Sequence, residues 1–170
     1  MYGFLKEFGT RTIVMAALLF FISSQVKAQS SLYFGEKKVI HKIPPKEKKI
    51  RILIVSDATN EIDDVWAIAL AVLYPERFII EGFVGSNYDH TATGVGPKSI
   101  ELSVNEIRTI LDKAGMKGKY PVLHGGHPMQ YEFWPSNSEG ADFIVERAMA
   151  GTAEDPLWVV GLGAATDLAS

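Results

Sequence analysis

Two kinds of hydrophobic pattern alternate along the chain. Apolar runs of strand length, rich in Ile, Val and Leu, cover residues 50–55, 78–84, 121–123 and 157–160. Longer stretches with helical spacing lie between them. Residues 64–74 carry Val65, Trp66, Ile68, Leu70, Val72 and Leu73. A stretch apolar nearly all round predicts a helix buried on more than one face, closed by Pro75. Residues 99–114 repeat Ile100, Leu102, Val104, Ile107, Ile110 and Leu111 at roughly helical spacing, with Gly115 as the expected C-cap. Residues 141–150 predict a third helix. The alternation is a βαβ series, so the expected fold is α/β: a mostly parallel, Rossmann-like sheet with helices on both faces. Such sheets take ligands beyond the carboxyl ends of their strands.

The first residues follow another rule. Lys6 and Arg11 precede an apolar stretch at 13–22, and Val26-Lys27-Ala28 offers small residues for cleavage. This predicts a signal peptide over 1–28, cleaved after Ala28, and a secreted or periplasmic protein. The run is shorter than the roughly 20 apolar residues a membrane span needs, so no stable insertion is expected after cleavage. Residues 29–49, with Pro44-Pro45 and a cluster of lysines, read as a solvated linker or arm. The domain is expected over 50–170. Hydrophobic residues make up 47% of the chain, enough for a core, and the absence of cysteine excludes thiol catalysis and thiolate metal sites. Removing Lys6, Arg11, Lys27 and Glu7 from totals of 17 basic and 20 acidic residues leaves 14 and 19, net −5. That balance argues against nucleic acid as a partner.

The chemistry concentrates where the first strand ends. Ser56-Asp57-Ala58-Thr59-Asn60-Glu61-Ile62-Asp63-Asp64 sets Asp57, Glu61, Asp63 and Asp64 beside a hydrophobic layer. Carboxylates so placed repel one another unless a hard cation with oxygen ligands neutralises them. A plainer reading has Asn60 capping the helix and Glu61, Asp63 and Asp64 complementing its positive end. It leaves Asp57 unexplained. Counted from Asp57, the sixth and twelfth positions of an EF-hand loop would be Ile62 and Ile68, which exclude that motif. A Walker loop is absent. Gly161-Leu162-Gly163-Ala164-Ala165-Thr166 lacks the third glycine of a dinucleotide fingerprint and follows the fourth strand, not the first.

A hydrophobic strand entering Asp57-Ala58-Thr59-Asn60-Glu61-Ile62-Asp63-Asp64 resembles the opening of the inosine-uridine-preferring nucleoside hydrolase family, in its variant with a longer acidic loop. Three further segments are similar, in order: Gly82-Phe83-Val84-Gly85-Ser86-Asn87, Tyr120-Pro121-Val122-Leu123-His124-Gly125-Gly126, and residues 154–169. The chain departs from the pattern at Val55, where the family usually has an Asp, and at Ala164 and Asp167, which stand for its Pro and Asn. The resemblance covers residues 50–170, and the family domain is about twice as long. The segment is therefore expected to be the N-terminal part of a domain, inactive by itself.

The resemblance implies hydrolysis of the N-glycosidic bond of a nucleoside, with Ca²⁺ as cofactor. Asp57 would ligate Ca²⁺ and act as general base. Asp64 would be a second ligand and the backbone carbonyl of Leu162 a third. Asp63 and Asn87 would bind ribose hydroxyls, with lesser substrate roles open for Asn60 and His90. The alternative is a secreted Ca²⁺-dependent sugar or nucleoside binder on the same fold, without catalysis. A small-molecule nucleoside is the expected partner, and a homo-oligomer is left open. His41 is expected in solvent, and His124 and His127 in structural or surface roles. Tyr131, Phe133 and Trp134 are expected in core packing or a lid, with stacking on a base as the other use.

Overall fold

The computed structural model describes residues 43–88, 95–131 and 133–170. The expected signal peptide, most of the linker, His41 and His90 lie outside these residues. Pro44–Ser170 forms one compact unit. Its elements are β1 (Ile50–Ser56), α1 (Ile62–Leu73), β2 (Phe78–Gly85), a 3₁₀ turn (Gly96–Lys98), α2 (Ser99–Lys113), β3 (Val122–His124), α3 (Glu139–Met149), β4 (Leu157–Gly161) and the short α4 (Thr166–Ala169).

The four strands make one sheet, ordered β3-β2-β1-β4, and every pairing is parallel. Parallel neighbours need crossovers, and here each crossover is a helix. On one face Ile52, Ile54 and Phe83 meet Ile68, Ala71 and Val72 of α1 and Ile107, Ile110 and Leu111 of α2. On the other, Leu53, Val55 and Val84 meet Ile144 of α3. Alternate residues of β1 thus feed two cores, which is why its sequence is a continuous apolar run. The α/β fold with helices on both faces is the one the alternation predicts. α2 ends as expected: Gly115 takes φ +72°, the Met116 N–H donates to the Leu111 carbonyl and the Gly115 N–H to that of Asp112.

Three expectations need correction. α1 is buried along one face only. Asp64, Ile68, Ala71 and Val72 face inward, whereas Ile62, Trp66, Leu70 and Leu73 stand exposed among the described residues, because α1 packs only on the sheet and α2. The helix also starts at Ile62, which puts Asp63 and Asp64 in its first turn. Residues 44–49 are not a free arm: Arg77 donates to the carbonyls of Pro44, Pro45 and Lys48.

Strand order places the site. The chain runs outward from β1 to β3, then returns across to β4 on the other side of β1. The crevice beyond the carboxyl ends of β1 and β4 is the point where the order reverses, the usual ligand position in open parallel sheets.

Candidate functional site

Asp57 is the first residue beyond β1, and Asp64 lies in the first turn of α1, the element that follows. Both are buried, 6% and 5% exposed. Burial, then the neighbouring Asp57 carboxyl through hydrogen bonding and charge, pushes Asp64 up to about 7. Asp63 adds repulsion, and the nearby Ser56 hydroxyl works the other way, though it meets no partner at full hydrogen-bond geometry. Asn60 does not cap the helix. Its amide donates to Asp57 Oδ2 at 2.9 Å, and the N-cap position falls to Glu61, whose side chain makes no capping bond. The cap reading therefore accounts for Asp63 and Asp64 as charges near a helix start, but not for Asn60 or for Asp57.

The loop after β4 closes on the same pair. Leu162 N–H donates to the Val55 carbonyl at 2.8 Å, extending the ladder to the residue before Ser56. Gly163 then passes so close that a Cβ there would collide with Asp57 Oδ1 and lie 2.8 Å from Ser86 Oγ. Only glycine fits this approach. Ser56 Oγ, Asn60 Oδ1 and Ser86 Oγ are buried without a hydrogen-bond partner. Buried polar atoms are rarely left unpaired without a reason. Here the unpaired oxygens lie beside two buried acids, one of which is pushed toward its neutral form. An all-oxygen set with excess negative charge fits a hard cation such as Ca²⁺. Among the described residues no group of three or more His, Cys, Asp or Glu side chains converges, so further ligands would be carbonyls, hydroxyls or water.

Asn87 is buried beside this crevice, but its amide donors are engaged. Nδ2 donates to the Gly126 carbonyl at 2.8 Å and to Thr166 Oγ1 at 2.9 Å. A contact to a sugar hydroxyl would have to come from its oxygen. Asp63 is exposed in the first turn of α1, near enough to Asp64 for its charge to act on it. Asp167, 3% exposed, was no candidate in the sequence reading, yet it organises this rim. Its Oδ1 accepts from Gly126 N–H and Ser138 Oγ, both at 2.7 Å, and Oδ2 is buried and unpaired. Its one signal in the sequence was the departure from Asn in the fourth segment. Ser86 had the weaker signal of a small polar residue directly after a strand.

His124 lies at the carboxyl end of β3, its ring held between Glu139 Oε1 and Glu101 Oε2, each at 2.8 Å. These carboxylates raise its pKa, and their own are lowered in return. The role is structural, tying β3 to α2 and α3. His127 is exposed, and so are Tyr131, Phe133 and Trp134, at 69%, 80% and 72%. Core packing is thus excluded for these aromatics among the described residues.

A family model described as "Cellulose-binding Sde182, nucleoside hydrolase-like domain" matches residues 51–170. The chain belongs to this family. Membership in the Sde182 family confirms the nucleoside hydrolase-like domain, which the four-stranded parallel sheet also fits, without establishing an inosine-uridine preference. Over 73 residues, 42% of the chain, the sequence is 34% identical to "Pre-mRNA-processing factor 39" of Schizosaccharomyces pombe. The match spans 11% of that protein, too little to carry an activity across. No solved structure matches.

Proposed function

We propose that the crevice beyond β1 and β4 binds Ca²⁺ through Asp57 and Asp64, grips a sugar there, and hydrolyses the N-glycosidic bond of a nucleoside. The observation that carries this reading is the pair of buried, neighbouring acids Asp57 and Asp64, set amid unpaired oxygens with no basic side chain bonded to either. Asp64 and the Leu162 carbonyl would complete the protein's grip on the ion. When bound, such an ion supplies charge that orients water and sugar hydroxyls and lowers their pKa. Asn60 holds Asp57 by Oδ2. The carboxylate is thereby fixed to accept a proton from water attacking an anomeric carbon with oxocarbenium character. Asp63 and the oxygen of Asn87 are the proposed contacts to ribose hydroxyls. The sequence pattern at residues 1–28 supports a secreted or periplasmic setting for this activity.

The test pairs calorimetric titration of Ca²⁺ with reducing-sugar release from a nucleoside panel, using the intact protein. Asp57→Asn should lower turnover by about 10²–10⁴, the usual contribution of a general base, and weaken Ca²⁺ less. Asp64→Asn should weaken Ca²⁺ most, with activity partly restored by excess ion. Parental turnover in both variants would defeat the reading.

A second reading has its own support in the family's description as cellulose-binding. On it, the crevice and its rim bind carbohydrate with no bond broken. Saturable sugar binding without any released reducing end is the outcome that favours it.

A further inference from the structure

α1 is apolar on both sides. Asp64, Ile68, Ala71 and Val72 are its buried residues, while Ile62, Trp66, Leu70 and Leu73 are exposed. These four follow one another at steps of four, four and three residues, which makes a single stripe along the helix, on the side opposite the sheet. Tyr74, half exposed, continues it. A surface helix normally carries polar and charged residues on that side. Residues 62–74 contain no Lys, Arg or Glu, and their two charged side chains, Asp63 and Asp64, both lie in the first turn. A tryptophan among aliphatic side chains, without charge, is the composition of an interface centre and not of a solvated surface.

The charges at the two ends of the stripe are opposite. Where α1 starts, Glu61 and Asp63 are exposed and carry −2. Just past its last turn, the Arg77 guanidinium holds the carbonyls of Pro44, Pro45 and Lys48, which brings residues 46–49 to this end. There the four cations Lys46, Lys48, Lys49 and Arg77 outweigh the two anions Glu47 and Glu76, a net +2. The 12 residues of α1 hold the acidic and basic ends about 18 Å apart. A second helix of the same kind, laid antiparallel, matches acidic to basic at both ends and apolar to apolar between. A parallel one sets like charges together, and like charges facing each other across an interface cost binding energy.

We propose that a second copy of this chain covers the stripe, the two α1 helices packing antiparallel about a two-fold axis. Trp66 of each copy then lies against Leu70 of the other, and Ile62 against Leu73. Such a contact uses the same patch on both copies, the commonest arrangement in soluble oligomers. The buried Asp57 and Asp64 take no part in it, so it stands or falls separately from the cation reading of the crevice.

Sedimentation equilibrium of the intact protein, in EDTA and in Ca²⁺, tests this. Both conditions should give twice the chain mass, falling to one chain on dilution. Trp66→Glu and Leu70→Glu should each weaken association by about thirtyfold or more, the scale of a hot-spot residue, and leave a folded monomer. Orientation is read by cross-linking, to which the cysteine-free parent is blind. The reagent is a bis-maleimide no longer than the roughly 8–10 Å between packed helix axes. A mixture of Ile62→Cys and Leu73→Cys proteins should cross-link, and neither variant alone should do so. Cross-linking of each variant with itself would mean a parallel pair and overturn the proposal. A parent that stays a single chain at every concentration would also overturn it, as would a dimer whose affinity neither Glu variant changes. A monomeric parent whose melting temperature drops in both Glu variants would show that the protein's own chain covers the stripe, and the cation reading of the crevice would be untouched.

Discussion

Two sets of buried carboxylates invite comparison. Glu81 sits at a bulge in β2, where the register against β1 skips it between Ile80 and Gly82. Its oxygens meet Arg51 Nε at 2.7 Å and an Arg147 guanidinium nitrogen at 3.3 Å. Arg51 in turn donates to the carbonyls of Arg147 and Asp155. This acid carries its counterions with it and ties β1, β2 and α3 together. Asp57 and Asp64 are buried more deeply than Glu81, with no basic side chain bonded to either, and burial beside Asp57 raises the pKa of Asp64. A buried charge that is already balanced serves the fold. One left unbalanced costs stability, and such an arrangement persists where a ligand supplies the missing charge.

The largest effect that would break this contrast comes from Glu81. Glu81→Gln leaves Arg51 without its carboxylate partner and Arg147 with only the exposed Glu146, and should cost about 3 kcal/mol in denaturant titration, with or without Ca²⁺. A change within experimental scatter would mean that Glu81 is no more integral than the acidic pair.

Removing a charge from the other set should act in the opposite direction. In EDTA at pH 8, Asp64→Asn is expected to stabilise by on the order of 1 kcal/mol, because it removes a buried repulsion. Asp64 keeps its proton in the fold up to about 7, against 3.8 for the unconstrained group. The folded state therefore binds more protons over that window, and the metal-free parent should lose stability as pH rises from about 4 to 7. Asp64→Asn should flatten the slope. Ca²⁺ at 100 times its dissociation constant should add about 2.7 kcal/mol to the parent and much less to the variant. Thermal melts at several pH values, in EDTA and in Ca²⁺, read all three. A parent whose stability rises over that window in EDTA would refute the raised pKa of Asp64.

The smallest effect belongs to His124. Its raised pKa means that the folded state favours the protonated ring, so this contribution is fully present below about 6.5 and fades as pH rises through the folded value. His124, Glu101 and Glu139 are well exposed, so solvent screens the interaction and salt should shrink it further. His124→Gln should lower the melting temperature slightly at pH 6 and not at pH 9. An equal loss at both would make the contact one of packing.

Periodicity and local chemistry by themselves determined the α/β class, the alternation of elements and the acidic loop as the place to look. These follow from near neighbours in the chain: the continuous apolar run of β1, the helical spacing of α2, Gly115 at its end. They also yielded Asp57 and Asp64, because acids between a buried strand and a buried helix are costly wherever the chain goes next. Only the tertiary structure decided that the two acids are both buried and act on one another. It turned Asn60 from cap to partner of Asp57, brought Gly163 and Ser86 against that acid, and engaged both amide donors of Asn87. It also gave Asp167 its rim and Glu81 its arginines, and left Trp66 and Trp134 exposed. The contacts of Asp57 with Asn60 and Asp64 form within one loop, but the others depend on distant segments meeting at the ends of a parallel sheet. Strand order sets those meetings, and it comes from the packing of whole faces, which no local window of sequence contains.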